Sequence, residues 1–164
     1  MKRFKHTVLL VLILMALWVL LTPNDMQEIW AGLAVSVLVA LFTIGMEPVL
    51  GDIRWTPKAL VFSVAYVFVF FKELIVSNLD VARRVVNPKL PIKPGIVKVK
   101  TNLTSPIAKT ILANSITLTP GTLTVDIQDE YLFIHWIEIK HEDLEGATQD
   151  IVKKFEKYLE VIFG

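Results

Sequence analysis

The sequence of 164 residues contains no cysteine, which excludes disulfide bonds, thiolate zinc sites and cysteine nucleophiles. Its seven glycines are scattered, and none belongs to a G-x-x-x-x-G-K-[ST] phosphate-binding loop. No serine lies in a G-x-S-x-G sequence, the turn that presents the nucleophile of α/β-hydrolases. These absences argue against several common classes of enzyme.

Carboxylates are also missing from the middle of the apolar segments, where a proton-carrying helix would need one. The ionisable residues near these segments are Glu28, Glu47, Asp52, Lys72 and Glu73, and each lies at a boundary. We interpret them as flanks at the membrane surface, with an ion path as the alternative.

The chain is rich in apolar residues, with a mean hydropathy of +0.56. Three runs predict transmembrane helices at about 7–22, 27–46 and 58–79, within a helical region 1–87. The third is expected to leave the lipid near Lys72 and to continue as a cytoplasmic helix. In the second, Gly32, Ala34 and Ser36 would permit close helix approach. A cleaved signal peptide is the alternative for the first run, but no A-x-A-like site follows it.

Charge is distributed unevenly, although the net charge is only +1. Residues 81–109 carry seven basic groups and no acidic one, whereas 110–164 carry four basic and ten acidic groups. A basic block after apolar sequence favours the cytoplasmic face of a membrane over nucleic acid, because the aromatics are not interleaved with it. The N-terminal Lys2, Arg3 and Lys5 also favour the cytoplasmic side, but three spans would place them on the side opposite to residues 81–109. Two interpretations remain: the N-terminus lies outside the cell, or the first helix does not fully cross the membrane.

A proline-rich linker at 88–95 precedes a predicted cytoplasmic α+β domain at 96–164, of order β-α-β-β-α. Alternation predicts strands at 96–103 and 122–127, and an apolar run predicts a central strand at 131–139, covered on both faces. Helical spacing predicts helices at about 106–116 and 148–163. A domain of about 70 residues is marginal alone, so attachment to a membrane partner would stabilise it.

Two local signals are specific. Ser105 followed by Pro106 is typical of a helix start, with serine as the N-cap. Pro120 and Gly121 predict a turn, with positive φ at the glycine. In the strand that follows, Leu123, Val125 and Ile127 are predicted to share one face.

Few residues suggest chemistry. Ser115 and Thr119 have no obvious base, and a Ser-His-Asp triad that uses Ser115 and His135 is the open alternative. His141 and its acidic neighbours are interpreted as a solvated helix entry. We predict no catalytic, cofactor-binding or metal-ligating residue, and no enzymatic activity.

The run "LANSITLTPGTLTVDI", residues 112–127, closely resembles the signature of the E subunit of Mrp-type multisubunit Na+/H+ antiporters. The resemblance covers nearly the whole chain, including its length and its apolar N-terminal helices. Within the run we assign a structural role to eight signature residues: Asn114, Ser115, Thr117, Thr119, Pro120, Gly121, Thr122 and Asp126.

The resemblance implies an accessory, non-catalytic subunit of a monovalent cation/proton antiporter. Such a subunit would support assembly and stability of the complex, and so cation efflux and pH homeostasis. It implies a multi-pass protein of the cell membrane with a cytoplasmic C-terminal domain. The expected partners are the lipid bilayer and the other antiporter subunits; no cofactor and no nucleic acid are expected.

Two alternatives from other classes remain at this point. One is a membrane-tethered adaptor domain that works outside any transporter. The other is a membrane-bound hydrolase with a pocket around Ser115 and His135.

Overall fold

A computed structural model describes residues 2–22, 25–43 and 52–164. The chain divides into two compact units, Met1–Gly51 and Asp52–Gly164. The tight turn predicted around Pro23 and Asn24, and the end of the second predicted span, lie outside the described residues. Each unit is considered by itself below.

The first unit contains two apolar helices, α1 (Lys2–Leu21) and α2 (Met26–Phe42). They pack through small residues, because a Cβ added at Gly32 would lie 2.6 Å from the Trp18 ring. Gly32, Ser36 and Ala40 are the buried residues of α2, whereas Ala34 is exposed. The buried residues of α2 are therefore four positions apart, because residues four apart share a helix face. Ala34 is only two positions from Gly32 and lies on another face.

The second unit begins with α3 (Pro57–Val86), a continuous helix of 30 residues. Its N-cap is Thr56, whose hydroxyl accepts from Ala59 N, and it ends before Asn87 and Pro88. Among the described residues, α3 is the one helix that is long and apolar enough to cross a membrane. Length and composition alone support that statement.

The α/β part contains β1 (Gly95–Lys100), α4 (Pro106–Leu118), β2 (Thr122–Gln128), β3 (Tyr131–Trp136), α5 (Leu144–Ile151) and α6 (Lys153–Phe163). Both pairs of strands are antiparallel, in the order β1-β3-β2. The predicted β-α-β-β order and the central position of β3 are confirmed. The last predicted helix is two helices, since the chain bends at Val152 and the first of them begins four residues earlier than expected.

The prediction that Leu123, Val125 and Ile127 share a face is wrong. The register between β2 and β3 shifts between Thr124 and Asp126, as in a β-bulge. A bulge adds one residue to one strand and so reverses the alternation beyond it. Leu123 pairs with His135 on the outer face of the sheet, whereas Ile127 pairs with Leu132, which faces the core.

The prediction that β3 is covered on both faces is also wrong for the described residues. Leu132, Ile134 and Trp136 are buried against the helices, but His135 on the other face is exposed. An antiparallel sheet can leave one face to solvent. Lysines from β1 shield part of this face, with Lys98 Nζ 3.6 Å from the centroid of the Tyr131 ring.

The core of the second unit lies between the sheet, α4, α5 and α6, and α3 packs onto it. Phe62, Tyr66 and Phe70 of α3 contact the buried cluster. The Tyr66 ring lies edge-on to fully buried Phe155, with centroids 6.4 Å apart. The structure thus groups α3 with the α/β elements, whereas the sequence suggested a division at the 88–95 linker.

Candidate structural site at the signature turn

The signature residues form the end of α4 and the turn into β2. Ser115 and Thr119 are both buried, and their hydroxyls donate to the carbonyl oxygens of Ile111 (2.8 Å) and Ser115 (2.7 Å). Thr122 Oγ1 lies within hydrogen-bond distance of the carbonyl oxygens of Ile116 (2.6 Å) and Thr119 (2.9 Å), which share its one proton. The Thr119 hydroxyl gives the Ser115 carbonyl, one of the last four of α4, a partner. The carbonyls of Ile116 and Thr119 also accept backbone N–H groups, from Thr119 and Thr122.

Gly121 has a φ of +92°, as its position in the turn predicted. A Cβ at this position would lie 3.0 Å from Ile137 Cγ2 and 3.7 Å from Val81 Cγ2 of α3. The Gly121 carbonyl accepts from Ile137 N at 2.8 Å. A glycine is needed here both for the backbone conformation and for close approach to two neighbours.

The other signature residues are more peripheral. Thr117 Oγ1 accepts from Thr124 N at 3.1 Å, which ties α4 to β2. Asp126 accepts from Ile127 N and from the Gln128 amide, at 2.8 and 2.7 Å, on the exposed strand end. Asn114 is exposed on α4, and its side chain forms no hydrogen bond within the part of the chain that the structure describes.

Three polar contacts connect the signature region and its surroundings to α3, and we call them the polar seam. Tyr66 and Ser115 are hydrogen-bonded through their hydroxyls. Glu73 Oε2 lies 3.2 Å from Lys154 Nζ of α6. Arg84 Nη2 donates to Glu138 Oε2 at 2.5 Å. The seam therefore follows α3 over 19 positions, from Tyr66 to Arg84.

Arg84 is the most connected side chain of the seam. It donates from Nε to Asp80 Oδ2 at 2.8 Å, and from Nη1 to the Pro91 carbonyl at 2.7 Å. Its side chain is 11% exposed, against 32% for Glu138. A planar guanidinium can hold two carboxylates and a carbonyl at once, which a lysine ammonium cannot do with the same geometry.

The seam borders a polar cleft of about 370 Å³ between α3, the signature turn, β3 and the two C-terminal helices. Its charged lining includes residues of both signs: Glu73, Asp80, Arg83, Arg84, Glu138, Lys140, Asp150 and Lys154. Hydrogen bonding from Arg84 lowers the pKa of Glu138 below its ordinary value, and the nearby charge of Lys140 acts in the same direction. A proton carrier works best with a pKa near the operating pH, so Glu138 is poorly suited to carry protons.

The structure does not bring the suspected catalytic pair together. Ser115 lies on α4, on the helical side of the sheet, and contacts Tyr66. His135 is exposed on the opposite face of β3. His135 therefore cannot act as a base for Ser115, and the hydrolase alternative loses its proposed site.

The described residues include no group of three or more His, Cys, Asp or Glu side chains that could hold a metal ion. The predicted helix entry near His141 is present, because Asp143 is the N-cap of α5 and accepts from Gly146 N at 2.7 Å. That hydrogen bond lowers the pKa of Asp143.

Sequence reasoning missed Arg84, Glu138, Tyr66 and Glu156. Glu156 is 1% exposed and accepts from Thr101 Oγ1 and Asn102 N, each at 2.6 Å, while Lys153 pairs with it. A signal for it exists, since Glu156 shares a helix face with Val152, Phe155 and Leu159. One partner of Arg84, Asp80, lies four positions away and has such a signal, whereas Glu138, 54 positions away, has none.

The curated relatives of this chain are subunits of Na(+)/H(+) antiporters. The chain is 46% identical over 97 residues to the E subunit of the Na(+)/H(+) antiporter of Bacillus subtilis, covering 58% of this chain and 60% of that protein. It is 44% identical over 90 residues to the corresponding antiporter protein of Alkalihalophilus pseudofirmus, covering 54% and 56%. The matches thus span less than two thirds of these curated relatives.

A solved structure is similar over nearly the whole chain. A chain of the membrane-bound sulfane sulfur reductase, an archaeal respiratory membrane complex, is 45% identical to it. The likeness covers 96% of this chain and 99% of that chain, with a TM-score of 0.82. The family model described as Na+/H+ ion antiporter subunit matches residues 11–162. This chain therefore belongs to the MNHE family of Na+/H+ ion antiporter subunits.

Proposed function

We propose that this protein is an accessory, non-catalytic subunit of a multisubunit membrane complex of the Mrp antiporter type, and that it supports assembly and stability of that complex. Its partners are the other subunits and the lipid bilayer. It is a multi-pass protein of the cell membrane with its α/β domain in the cytoplasm. Cation efflux and pH homeostasis then depend on it indirectly.

The polar seam is the observation that carries this proposal. Three contacts, Tyr66–Ser115, Glu73–Lys154 and Arg84–Glu138, hold α3 against a folded α/β domain along one side, and α3 is the longest apolar helix among the described residues. Paired charges of this kind hold two elements in a fixed register. They leave the seam carboxylates bound to bases rather than available to carry ions. This geometry suits a structural subunit that holds neighbouring elements in fixed positions.

The names of the relatives support the proposed setting. The curated relatives are antiporter subunits, and the solved chain that covers 96% of this one belongs to an archaeal respiratory complex. The second candidate is therefore the same bracing role in a respiratory membrane complex. Purification through a tag on this chain distinguishes the two. Co-purified subunits would catalyse Na+-dependent proton exchange in vesicles in the first case, and sulfane sulfur reduction in the second.

Deletion of this chain tests the bracing role itself. We expect the other subunits to be synthesised but the intact complex to be scarce on native gels, with activity per assembled complex unchanged. Re-expression of the wild-type chain restores the complex. A complex that assembles fully without the chain would contradict the proposal, and so would an assembled complex that has lost exchange.

A further inference from the structure

The helix α3 has two different sides. One side, including Phe62, Tyr66 and Phe70, packs against the core of the α/β domain. The other side is apolar and exposed at Leu60, Val64, Phe71 and Ile75, whose exposed fractions are 69%, 53%, 54% and 60%. These four residues lie within a narrow stripe, because their spacing returns to one helix face. We call them the outer stripe.

The packed side of α3 is covered by α6 over the whole of its apolar N-terminal half. At one end, Arg54 N donates to the Ile162 carbonyl at 2.8 Å. In the middle, the Phe62 and Tyr158 rings have centroids 6.0 Å apart. At the other end, Glu73 pairs with Lys154. The two helices therefore run side by side in opposite directions.

The packing of α6 along α3 means that α3 could cross a membrane only if α6 entered the membrane with it or separated from it. If residues 57–71 crossed the hydrocarbon layer, α6 would enter that layer at the same depth. Its 11 residues include five charged ones: Lys153, Lys154, Glu156, Lys157 and Glu160. Charged side chains are strongly disfavoured there. Separating α3 from α6 would instead uncover Phe155, which is fully buried.

The charges around the outer stripe are of one sign. Lys58, Lys72 and Arg83 are exposed on α3, with the Lys72 side chain 73% exposed. Lys72 Nζ also lies 3.7 Å from Glu73 Oε1, and Arg83 borders the polar cleft as well. The two acidic residues of the helix lie toward the packed side, where Glu73 pairs with Lys154 and Asp80 with Arg84. Trp55, just before the helix, is also exposed. Apolar residues flanked by basic ones and a tryptophan are typical of helices at anionic membrane surfaces.

We propose that α3 lies in the plane of the membrane surface, with its outer stripe at the boundary between headgroups and acyl chains. Lys58, Lys72 and Arg83 then contact anionic lipid headgroups, and the α/β domain rests on the membrane through α3. This assignment differs from the span predicted at about 58–79. It is independent of the proposed assembly role.

The absence of native cysteine makes a direct test practical. Single substitutions Leu60→Cys, Val64→Cys, Phe71→Cys and Ile75→Cys place a spin label on the outer stripe of the purified full chain. The chain is inserted into vesicles of phosphatidylcholine and phosphatidylglycerol. Collisions of the label with oxygen and with a water-soluble nickel chelate give its depth. Gln128→Cys, on an exposed strand end, is the matched control for a label in water.

We expect all four labels at the same shallow depth and Gln128→Cys in water. A transmembrane α3 would instead separate the labels at 60 and 75 by about 22 Å along the membrane normal, and that result would overturn the proposal. Labels shielded from both oxygen and nickel would also overturn it, since they would indicate a protein partner on the stripe.

The lipid charge is tested with the same labels. In vesicles of phosphatidylcholine alone, or with Lys58, Lys72 and Arg83 all changed to glutamine, we expect the nickel accessibility of the four labels to rise several-fold. If neither treatment changes the nickel accessibility of the labels, the proposed contact between the basic residues and anionic headgroups is wrong.

Discussion

The hydroxyl groups of Tyr66 and Ser115 form a hydrogen bond that joins α3 to α4 across 49 positions of sequence. Ser115 also donates to the Ile111 carbonyl, so its hydroxyl connects its own helix to a neighbouring one. This contact gives a physical reason for a serine at the centre of the signature run.

Removing the Tyr66 hydroxyl tests the contribution of this contact to stability. Tyr66→Phe keeps the ring against Phe155 and should lower the free energy of unfolding by about 0.5–1.5 kcal/mol. Urea unfolding of the full chain in detergent, followed by tryptophan fluorescence, measures the change. The double variant with Ser115→Ala should cost less than the sum of the two single changes. Strict additivity would show that the hydroxyls are not coupled.

A side chain at Gly121 should be poorly tolerated. Gly121→Val must adopt a φ of +92° and place its Cβ 3.0 Å from Ile137 Cγ2. We expect a loss of at least about 1–3 kcal/mol in the free energy of unfolding, from backbone strain and crowding. Pro120→Gly should cost less, about 0.4–1 kcal/mol, because it acts mainly on the unfolded chain.

The control for both turn variants is Asn114→Ala, because Asn114 is exposed on the same stretch. This substitution should change the free energy of unfolding by no more than about 0.5 kcal/mol. Equal stability of Gly121→Val and Asn114→Ala would contradict the role assigned to the turn.

The pair of Arg84 and Glu138 should make stability depend on pH. Arg84 lowers the pKa of Glu138 below its ordinary value of 4.5, so the folded state prefers the ionised carboxylate. The stabilisation is present above the unfolded pKa and is lost as the pH falls through the lower, folded pKa. At about pH 7, Glu138→Gln should cost about 1 kcal/mol, a value between those of surface and buried pairs.

The destabilisation by Glu138→Gln should shrink as the pH falls below the folded pKa of Glu138. Unfolding curves of the wild-type chain and of the variant over the acid range measure it. Glu142→Gln is the matched control, because Glu142 is exposed and pairs with exposed Lys93; it should have little effect on stability at neutral pH. A Glu138→Gln cost that is constant with pH would contradict the assignment.

Buried Glu156 should be the most sensitive carboxylate of the α/β domain. Glu156→Ala leaves the Thr101 hydroxyl, the Asn102 amide and Lys153 without their partner, and should cost about 3–5 kcal/mol. Glu156→Gln keeps an acceptor for the amide and hydroxyl and should cost less. The same unfolding assay compares them with Glu160→Gln, one turn further along α6, which should be nearly neutral.

Much of the α/β part could be predicted because its signals are local. Ser105 and Pro106 define the start of α4, and the Ser105 hydroxyl accepts from Ala108 N as expected. Gly121 takes its left-handed conformation because the turn chemistry requires it. The bulge after Thr124 could not be predicted, because alternation of residue type continues unchanged through a shift in pairing.

The surroundings of α3 could not be predicted for a different reason. Its first half is apolar on every side, so a face that packs on α6 and a face that is exposed have the same composition. Hydrophobic periodicity carries no signal when both faces are apolar. Ser115, the partner of Tyr66, and Glu138, one partner of Arg84, come from distant sequence, and only the folded chain brings these pairs together.

The packing of Phe62, Tyr66 and Phe70 against the α/β core also bears on the order in which the protein is made. Translation delivers α3 before any strand of the sheet, and α6, which covers α3, follows only after all three strands. The nascent domain therefore folds onto a helix that is already in place. A message cut short before codon 153 would yield a product with these aromatic rings uncovered, which is the kind of surface that quality-control proteases recognise.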